Sequence, residues 1–161
     1  MSPNRVLHLC STIVDEILVR DVMTTEVLSV EKYESIVTVA QMLAGRNISG
    51  LPVLDKEGCV IGIITQADIL AMVGVRKEHT FKDLLRHALG EHLPERKCGD
   101  IVADIMTTPA LTTHPGANIA EIAQLMDEHK IRRLPVVDDQ KKLVGIISRA
   151  DILKAVLRKL K

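Results

Sequence analysis

The chain has 161 residues, and its 21 basic residues balance its 21 acidic residues, so the formal net charge at neutral pH is zero. This balance argues against nucleic acid and against an anionic membrane surface as partners, because both attract an excess of positive charge. Apolar residues make up 47% of the chain, yet it contains one Tyr, one Phe and no Trp. The core must therefore be aliphatic, and base stacking on aromatic side chains is poorly supported.

The three cysteines, Cys10, Cys59 and Cys98, are odd in number and lack C-x-x-C spacing. This usage favours reduced thiols in the cytoplasm over a disulfide framework. The apolar run that begins at Val6 is too short, and too soon followed by acidic residues, to be a signal peptide. No stretch approaches the ~18–20 apolar residues of a membrane span. We therefore predict a cytoplasmic protein with no membrane partner.

Residues 1–20 predict an N-terminal amphipathic helix, because apolar residues recur at nearly helical spacing over about 5–19. In residues 21–74 the pattern predicts an irregular segment at 21–25, a strand at 27–30, and a helix that is capped by Ser35 and ends near 46. A strand at 50–54, a turn at 55–58, a strand at 59–65 and a helix that ends near 74 follow. The strand at 59–65 is almost wholly apolar, which indicates burial on both faces.

Residues 75–100 predict a connector, with a helix at 82–89 and breaks at glycine and proline. His87, Glu91 and His92 lie in it with Cys98 nearby, but their spacing matches no standard zinc site, and we expect no metal. Residues 101–161 predict the same order again, with a strand at 110–113, a helix at 118–130, a strand at 134–137, a turn at 138–141, a strand at 142–148 and a helix at 149–159. Alternating strands and helices with short connections indicate the α/β class.

A gap-free internal repeat explains this recurrence. Residues 21–73 align with residues 104–156 at a constant offset, and 21 of the 53 aligned positions are identical. The strongest match joins 60–70 with 143–153, where each copy predicts a buried strand that runs directly into a helix. Two copies of one supersecondary unit thus fill most of the chain, so two related ligand sites have to be considered.

At both strand–helix junctions a hydroxyl precedes a carboxylate by three residues, as Thr65 and Asp68 in the first repeat and Ser148 and Asp151 in the second. One interpretation is a capping box, in which these side chains satisfy exposed backbone N–H groups at the helix start. The other interpretation is a ligand site. The two are compatible, because a hydroxyl that accepts a backbone hydrogen bond can still donate one to a ligand.

The second repeat carries Arg132 and Arg133 where the first carries Ser49 and Gly50. Two adjacent arginines are typical of a solvated turn. They also suit a phosphate clamp, because the guanidinium fork matches the geometry of phosphate oxygens. This is the clearest difference between the two copies.

The order of motifs in both copies resembles a tandem pair of CBS domains, the regulatory modules named after cystathionine β-synthase. The motifs are Asp-Val-Met-Thr-Thr, Leu-Pro-Val-x-Asp and Gly-Ile-Ile-(Thr/Ser)-x-Ala-Asp-Ile-Leu. The resemblance implies an α/β fold of two β-α-β-β-α repeats, paired through their sheets into one pseudo-two-fold module. It divides the chain into an N-terminal helix at 1–20, CBS repeat 1 at 21–74, a connector at 75–100 and CBS repeat 2 at 101–161.

The resemblance also implies two crossed ligand sites, in which the carboxylate accepts hydrogen bonds from ribose hydroxyls. The main site is expected to comprise Asp151, Ser148, Arg133, Arg132, Met23, Leu28, Ile48 and Ser49. The second site is expected to comprise Asp68, Thr65, Met106, Leu111, Ile131 and Arg132. For the apolar members of both sets, plain core packing is an equally good interpretation.

The implied function is a regulatory module that binds AMP, ADP, ATP or S-adenosylmethionine and signals by a change of shape or of partner contacts. We expect a phosphorylated nucleotide in the main site, and weaker, absent or less charged occupancy of the second. No required cofactor is implied, and a homodimer and a further unknown protein partner are expected. No hydrolase, zinc-protease, P-loop or dinucleotide motif argues for an enzyme. The alternative is an unliganded structural module that works through its dimer surface and N-terminal helix.

Overall fold

The computed structural model describes residues 14–72 and 99–161, which form a mixed α/β fold with a sheet in each repeat. The helices in these ranges are α1 (Val19–Val22), α2 (Ile36–Arg46), α3 (Gln66–Met72), α4 (Val102–Ile105), α5 (Ile119–Glu128) and α6 (Arg149–Leu160). The strands are β1 (Val30–Glu31), β2 (Gly50–Leu54), β3 (Val60–Thr65), β4 (Arg133–Val137) and β5 (Leu143–Ser148). The predicted α/β class is confirmed.

The sheets of the two repeats share one plan but differ in their first strand. In the first sheet the order is β1-β2-β3, and β1 runs parallel to β2 with Val30 opposite Val53. In the second sheet β4 pairs antiparallel with β5. There Thr113 adds a single parallel bridge to Val136. Since these two pairs occupy matching repeat positions, the second sheet keeps one residue of the strand that β1 forms in the first.

The chain forms two compact units whose boundaries cut across the sequence repeats. Of the described residues, unit 1 contains 14–28, 56–60 and 110–161. Unit 2 contains 29–55, 61–72 and 99–109. Each unit therefore joins the body of one repeat to the segment that leads into the other repeat.

In unit 1 the lead-in segment of repeat 1 pairs with strand β5 of repeat 2. Thr24 and Ile146 each donate a backbone hydrogen bond of 2.9 Å to the carbonyl of the other. A Cβ atom built on Gly145 lies 2.7 Å from Met23 Sδ and 2.9 Å from Thr24 O. The segment therefore approaches β5 so closely that a glycine is required at this point of the strand.

Unit 2 repeats this packing with the lead-in segment of repeat 2. Thr107 and Ile63 exchange backbone hydrogen bonds of 2.9 and 3.0 Å. A Cβ atom built on Gly62 lies 2.9 Å from both Met106 Sδ and Thr107 O. The glycine–methionine contact is thus a property of both units, and it places one methionine over each strand that leads to a Thr/Ser–Asp pair.

The core of each unit is aliphatic, with methionine as the only other large side chain among the described residues. Tyr33 lies outside the core and is 65% exposed. The buried cluster of unit 1 consists of Ile17, Val19, Ala117, Ile119, Ile122, Met126, Leu134, Val136, Ile147 and Ala155. The buried apolar residues of unit 2 include Val30, Ile36, Val39, Leu43, Leu51, Val53, Ile64, Val102, Ile105 and Met106.

Substitution Gly145→Ala is expected to destabilise the protein by about 1–3 kcal/mol, the usual range for overpacking a well-packed site. The added methyl group would meet Met23 Sδ, which can move, but also the Thr24 carbonyl, which is held by its hydrogen bond to Ile146. Chemical denaturation monitored by circular dichroism measures the change. Gly45→Ala in α2 is the matched control, because nothing lies within 4 Å of its Cβ position. That variant is expected to gain about 0.5–1 kcal/mol from helix propensity, and a loss there as large as at Gly145 would contradict the packing argument.

The prediction of a helix over 5–19 is wrong for the described residues 15–18, while residues 1–13 lie outside the described part. Leu18 forms an antiparallel bridge with Asn118, and the Val19 N–H donates to Ala117 O at 2.8 Å. The apolar spacing reflects burial of Ile17 and Val19 in the core of unit 1, which this bridged backbone achieves without a helix. The helical turn α1 spans Val19–Val22 and so extends into the segment predicted to be irregular at 21–25.

Three strand predictions also need correction. The strand predicted at 27–30 forms only at Val30–Glu31, and that at 110–113 is reduced to the bridge of Thr113. An apolar run reports burial, and it does not show whether a neighbouring strand is present to pair with it. In β3 the buried residues are Gly62 and Ile64, with half-buried residues between them, so burial on both faces is wrong.

Several local predictions are confirmed. Ser35 caps α2, with its Oγ accepting a hydrogen bond from the Thr38 N–H at 3.1 Å. Strand β2 spans Gly50–Leu54 as predicted, and Gly58 in the following turn has a φ of 84°. The predicted connector helix and the end of α3 near 74 lie outside the described residues. No helix in the described part is long and apolar enough to cross a membrane.

Candidate functional site

At the start of α6, Ser148 and Asp151 form a reciprocal capping box. The Ser148 backbone N–H donates to Asp151 Oδ2 at 2.8 Å, and the Ser148 hydroxyl donates to the same oxygen at 2.9 Å. The Asp151 N–H donates in turn to Ser148 Oγ at 3.2 Å. The capping interpretation is confirmed here, because these bonds satisfy N–H groups that have no partner inside the helix.

The first repeat builds the same arrangement at the start of α3. The Thr65 N–H and hydroxyl donate to Asp68 Oδ2 at 2.8 and 2.9 Å. The Asp68 N–H donates to Thr65 Oγ1 at 3.3 Å. Both carboxylates are half-buried, so their orientation is fixed while they remain accessible from outside.

Capping leaves part of each carboxylate available. All the hydrogen bonds above end on Oδ2, so Oδ1 of Asp68 and of Asp151 has no donor among residues 14–72 and 99–161. An ionised carboxylate has about four lone-pair sites. Each cap therefore presents an oriented acceptor that can receive further hydrogen bonds, and the positive end of the helix dipole favours its negative charge.

Arg133 lies near enough to the Asp151 carboxylate in unit 1 for the two charges to interact. It is the first residue of β4, and its backbone is paired with Ser148 in the β4–β5 ladder. Burial lowers the pKa of the Arg133 guanidinium, the charge of Arg132 lowers it further, and the charge of Asp151 opposes both by raising it. A partly desolvated cation next to a second cation gains more from an added anion than an exposed arginine does.

Arg149, which sequence reasoning did not single out, holds the turn that carries these arginines. Its Nε donates to Ile131 O and its Nη2 donates to Met126 O, both at 2.9 Å. Its backbone N–H donates to Arg132 O at 3.0 Å. One residue thus connects the start of α6, the C-terminal turn of α5 and the segment that precedes β4.

Gln66 takes the matching position in the first repeat. Its Nε2 donates to Ile48 O at 3.0 Å, and its backbone N–H donates to Ser49 O at 2.9 Å. The repeat alignment contains the signal that would have identified both residues, because arginine at 149 replaces a neutral amide at 66. This charge difference accompanies those at Arg132 and Arg133.

The residues predicted for each site are divided between the two units. For the main site, unit 1 contains Met23, Leu28, Arg132, Arg133, Ser148 and Asp151, and unit 2 contains Ile48 and Ser49. For the second site, unit 2 contains Thr65, Asp68 and Met106, and unit 1 contains Leu111, Ile131 and Arg132. Within each unit the structure brings a methionine from one repeat to the strand that carries the Thr/Ser–Asp pair of the other.

The fold and the duplicated hydroxyl–carboxylate cap define a class of tandem-repeat α/β proteins with two related candidate ligand sites. The model of the CBS domain family matches residues 19–74 and 102–158, which make up more than half of the chain. This protein belongs to the CBS domain family. Both matched segments include a strand, the cap that follows it and the lead-in methionine.

Similar proteins include both unassigned and ligand-bound members. The chain is 31% identical over 154 residues to the uncharacterized protein MJ1426 of Methanocaldococcus jannaschii, and the match spans 87% of this chain and 91% of that one. The crystal structure of Arabidopsis thaliana CBSX2 in complex with AMP has a TM-score of 0.72 at 29% identity, over 89% of this chain and 98% of that one. The CBS domain pair of MJ0100, in complex with 5'-methylthioadenosine and S-adenosyl-L-methionine, has a TM-score of 0.67 at 27% identity, with the same coverage. Other curated relatives are longer, and the chain spans 24–53% of three of them.

Proposed function

We propose that this protein is a regulatory module that binds an adenosyl compound and signals by a change of shape or of partner contacts. The observation that carries the proposal is the group formed by Ser148, Asp151 and Arg133 in unit 1. An oriented carboxylate with an available oxygen lies there beside a partly desolvated guanidinium. An adenosine phosphate offers ribose hydroxyls that donate to the carboxylate and a phosphate that accepts from the guanidinium.

The unequal charge of the two caps supports different ligands for them. Beside Asp151 the chain carries Arg132 and Arg133, whereas the matching residues beside Asp68 are Ser49 and Gly50. We propose that the Asp151 cap takes a phosphorylated nucleotide. The Asp68 cap binds more weakly, stays empty or takes an adenosyl ligand with less negative charge.

The structural neighbours support an adenosyl ligand without choosing among candidates. One neighbour holds AMP, and another holds 5'-methylthioadenosine and S-adenosyl-L-methionine. These ligands share an adenosine group and differ in their charge. The shared adenosine group can bind to either of the duplicated carboxylates. The difference in charge matters only in the second repeat, where arginines accompany the carboxylate.

Unit 1 also offers a way to transmit binding. A ligand shifts a conformational equilibrium only when it binds two states with different affinity. The proposed ligand contacts Asp151 from repeat 2 and Met23 from repeat 1, and Met23 packs on the strand residue Gly145. Ligand binding therefore stabilises the state in which the lead-in segment is paired with β5.

The resemblance to CBS-domain pairs also supports proposals about catalysis, cofactors, oligomeric state and partners. We propose a non-catalytic protein that requires no cofactor and forms a homodimer, and a further protein partner that receives the signal. The division of the chain into a lead-in segment at 1–20, CBS repeats at 21–74 and 101–161 and a connector at 75–100 stays a proposal. A cytoplasmic location is proposed on the basis of cysteine usage.

Thermal unfolding against a panel of AMP, ADP, ATP, S-adenosylmethionine, adenosine and GTP tests the proposal. A ligand at about 100 times its dissociation constant stabilises the folded state by ~2.7 kcal/mol. For a chain of this size the expected rise in the unfolding temperature is roughly 5–10 °C. We expect this rise for at least one adenine nucleotide and not for GTP. No rise for any adenosyl compound at millimolar concentration would contradict the proposal.

The second candidate function is an unliganded interaction module. The observation in its favour is a row of exposed leucines on α6, in which Leu153, Leu157 and Leu160 are 61%, 51% and 51% exposed. Spacings of four and three residues place these side chains on one face of the helix. A flat ligand panel together with a stable dimer in light scattering would favour this function over the first.

A further inference from the structure

Three positions change charge together between the repeats. Ser49, Gly50 and Gln66 of the first repeat correspond to three arginines in the second, at 132, 133 and 149. The first two arginines have a direct interpretation as phosphate ligands, but Arg149 is already engaged with backbone carbonyls. Arg149 therefore has a role other than direct contact with the phosphate.

The bonds of Arg149 end on the turn between α5 and β4, which is the segment that carries the other two arginines. Met126 O, in the last turn of α5, accepts from Arg149 Nη2 at 2.9 Å and from the Ile131 N–H at 3.0 Å. Between these residues Lys130 has a φ of 54°, in the left-handed region that few non-glycine residues adopt. The guanidinium thus stabilises a helix end and a strained turn by supplying a cation to carbonyls at the negative end of the helix.

The first repeat shows what the turn is like without this guanidinium. Ile48 N–H donates to Leu43 O at 3.2 Å, and Asn47 has a φ of 52°, so the backbone takes the same course. Gln66 supplies a side-chain bond to Ile48 O, which matches the bond from Arg149 Nε. The bond from Arg149 Nη2 to Met126 O is the addition in the second repeat. Among the described residues, Arg149 therefore makes one more side-chain hydrogen bond to the turn than Gln66 does.

We propose that Arg149 is a positioning residue that holds the Arg132–Arg133 turn in the orientation required to bind a ligand phosphate. This inference rests on the proposed function and deepens it, since it concerns how the Asp151 cap selects phosphorylated over unphosphorylated ligands. Arg149 acts through the backbone on either side of Arg132, because Ile131 O and Arg132 O both accept from it. Affinity for phosphate falls in proportion to the fraction of molecules whose turn is correctly placed.

The test compares AMP with adenosine by calorimetry in the wild type, Arg149→Gln and Arg149→Lys. Glutamine is the residue that the first repeat uses, so the variant is expected to fold, and thermal unfolding checks this. We expect Arg149→Gln to weaken AMP binding by roughly 5–10-fold and to leave adenosine binding within twofold; this loss is smaller than that of one direct charged hydrogen bond, because Arg149 acts on the phosphate only through the turn. Arg158→Gln is the matched control, because it removes an exposed arginine from the last turn of the same helix, and AMP affinity is expected to be unchanged.

The lysine variant separates positioning from charge. A single ammonium keeps the positive charge but lacks the planar fork that reaches two carbonyls at once. We expect Arg149→Lys to be as weak for AMP as Arg149→Gln. Full affinity in the lysine variant would overturn the positioning role, and so would an equal loss of AMP and adenosine binding in the glutamine variant. A wild type that binds neither ligand would overturn the proposed function itself, which distinguishes that failure from a failure of Arg149 alone.

Discussion

Asp151→Ala is expected to weaken AMP binding by on the order of 100-fold, the largest effect of any single substitution that we predict. The variant removes the acceptor for two ribose hydroxyls, and hydrogen bonds to a charged group contribute about 1.5 kcal/mol each at the low end of their range. A loss of about 3 kcal/mol corresponds to that factor. Isothermal titration of AMP into wild type and variant measures it directly.

The cap that Asp151 provides has to be separated from its role in binding. Loss of the capping interaction alone is expected to cost about 1 kcal/mol of folding stability. Asp68→Ala is the matched control, because it removes the same cap from α3 and leaves the unit 1 group intact. We expect a similar loss of stability in both variants and a large loss of AMP affinity only in Asp151→Ala. Normal AMP binding in Asp151→Ala, with loss in Asp68→Ala, would assign the main site to the other cap.

Local features of the fold could be read from the sequence because local chemistry decides them. Ser35 is an N-cap by residue type and bonds the Thr38 N–H as such a residue does. Gly58 supplies the positive φ that its turn needs. The bounds of β2 follow from an apolar run between turn residues. In each case the deciding interactions lie within a few residues of one another.

The pairing of distant segments could not be read in the same way. The bond between Thr24 and Ile146 joins residues far apart in sequence, and nothing in the local pattern of either residue specifies the other. The same limit explains why the apolar spacing that ends at Ile17 and Leu18 predicts a helix, since both a helix and a bridged segment can bury Ile17. Tertiary contacts decided between the two.

The candidate site was only partly accessible from sequence. Ser148 and Asp151 were identifiable as a pair, and the structure confirms their capping role, while the ligand role remains a prediction. Arg149 was missed because a single charged residue on a helix is ordinarily solvated. Its function emerges only from the distances of its guanidinium to Ile131 O and Met126 O.

The double variant Arg132→Gln/Arg133→Met is expected to lower ATP affinity by roughly 30-fold while leaving adenosine affinity within about twofold. Methionine keeps the apolar stem of the half-buried Arg133, so the change removes charge with little loss of packing. Arg132 is exposed and is expected to contribute the smaller share. We assign the two guanidinium groups together about 2 kcal/mol of the binding free energy of ATP. This is less than the full value of two charged hydrogen bonds, because solvent screens the exposed Arg132.

Salt dependence gives this variant a second readout. If phosphate binding by these arginines is electrostatic, ATP affinity of the wild type falls as ionic strength rises, and the fall is shallower in the double variant. Fluorescence titration with a labelled adenine nucleotide at several salt concentrations measures both slopes. Equal losses for ATP and adenosine, or an unchanged salt slope, would show that the arginines act on the fold of the β4 edge and not on the phosphate. A selective loss for ATP would instead connect the charge difference between the repeats to the choice of ligand, because Arg133 interacts with the charge of the capped Asp151 and the first repeat has Gly50 at the matching position.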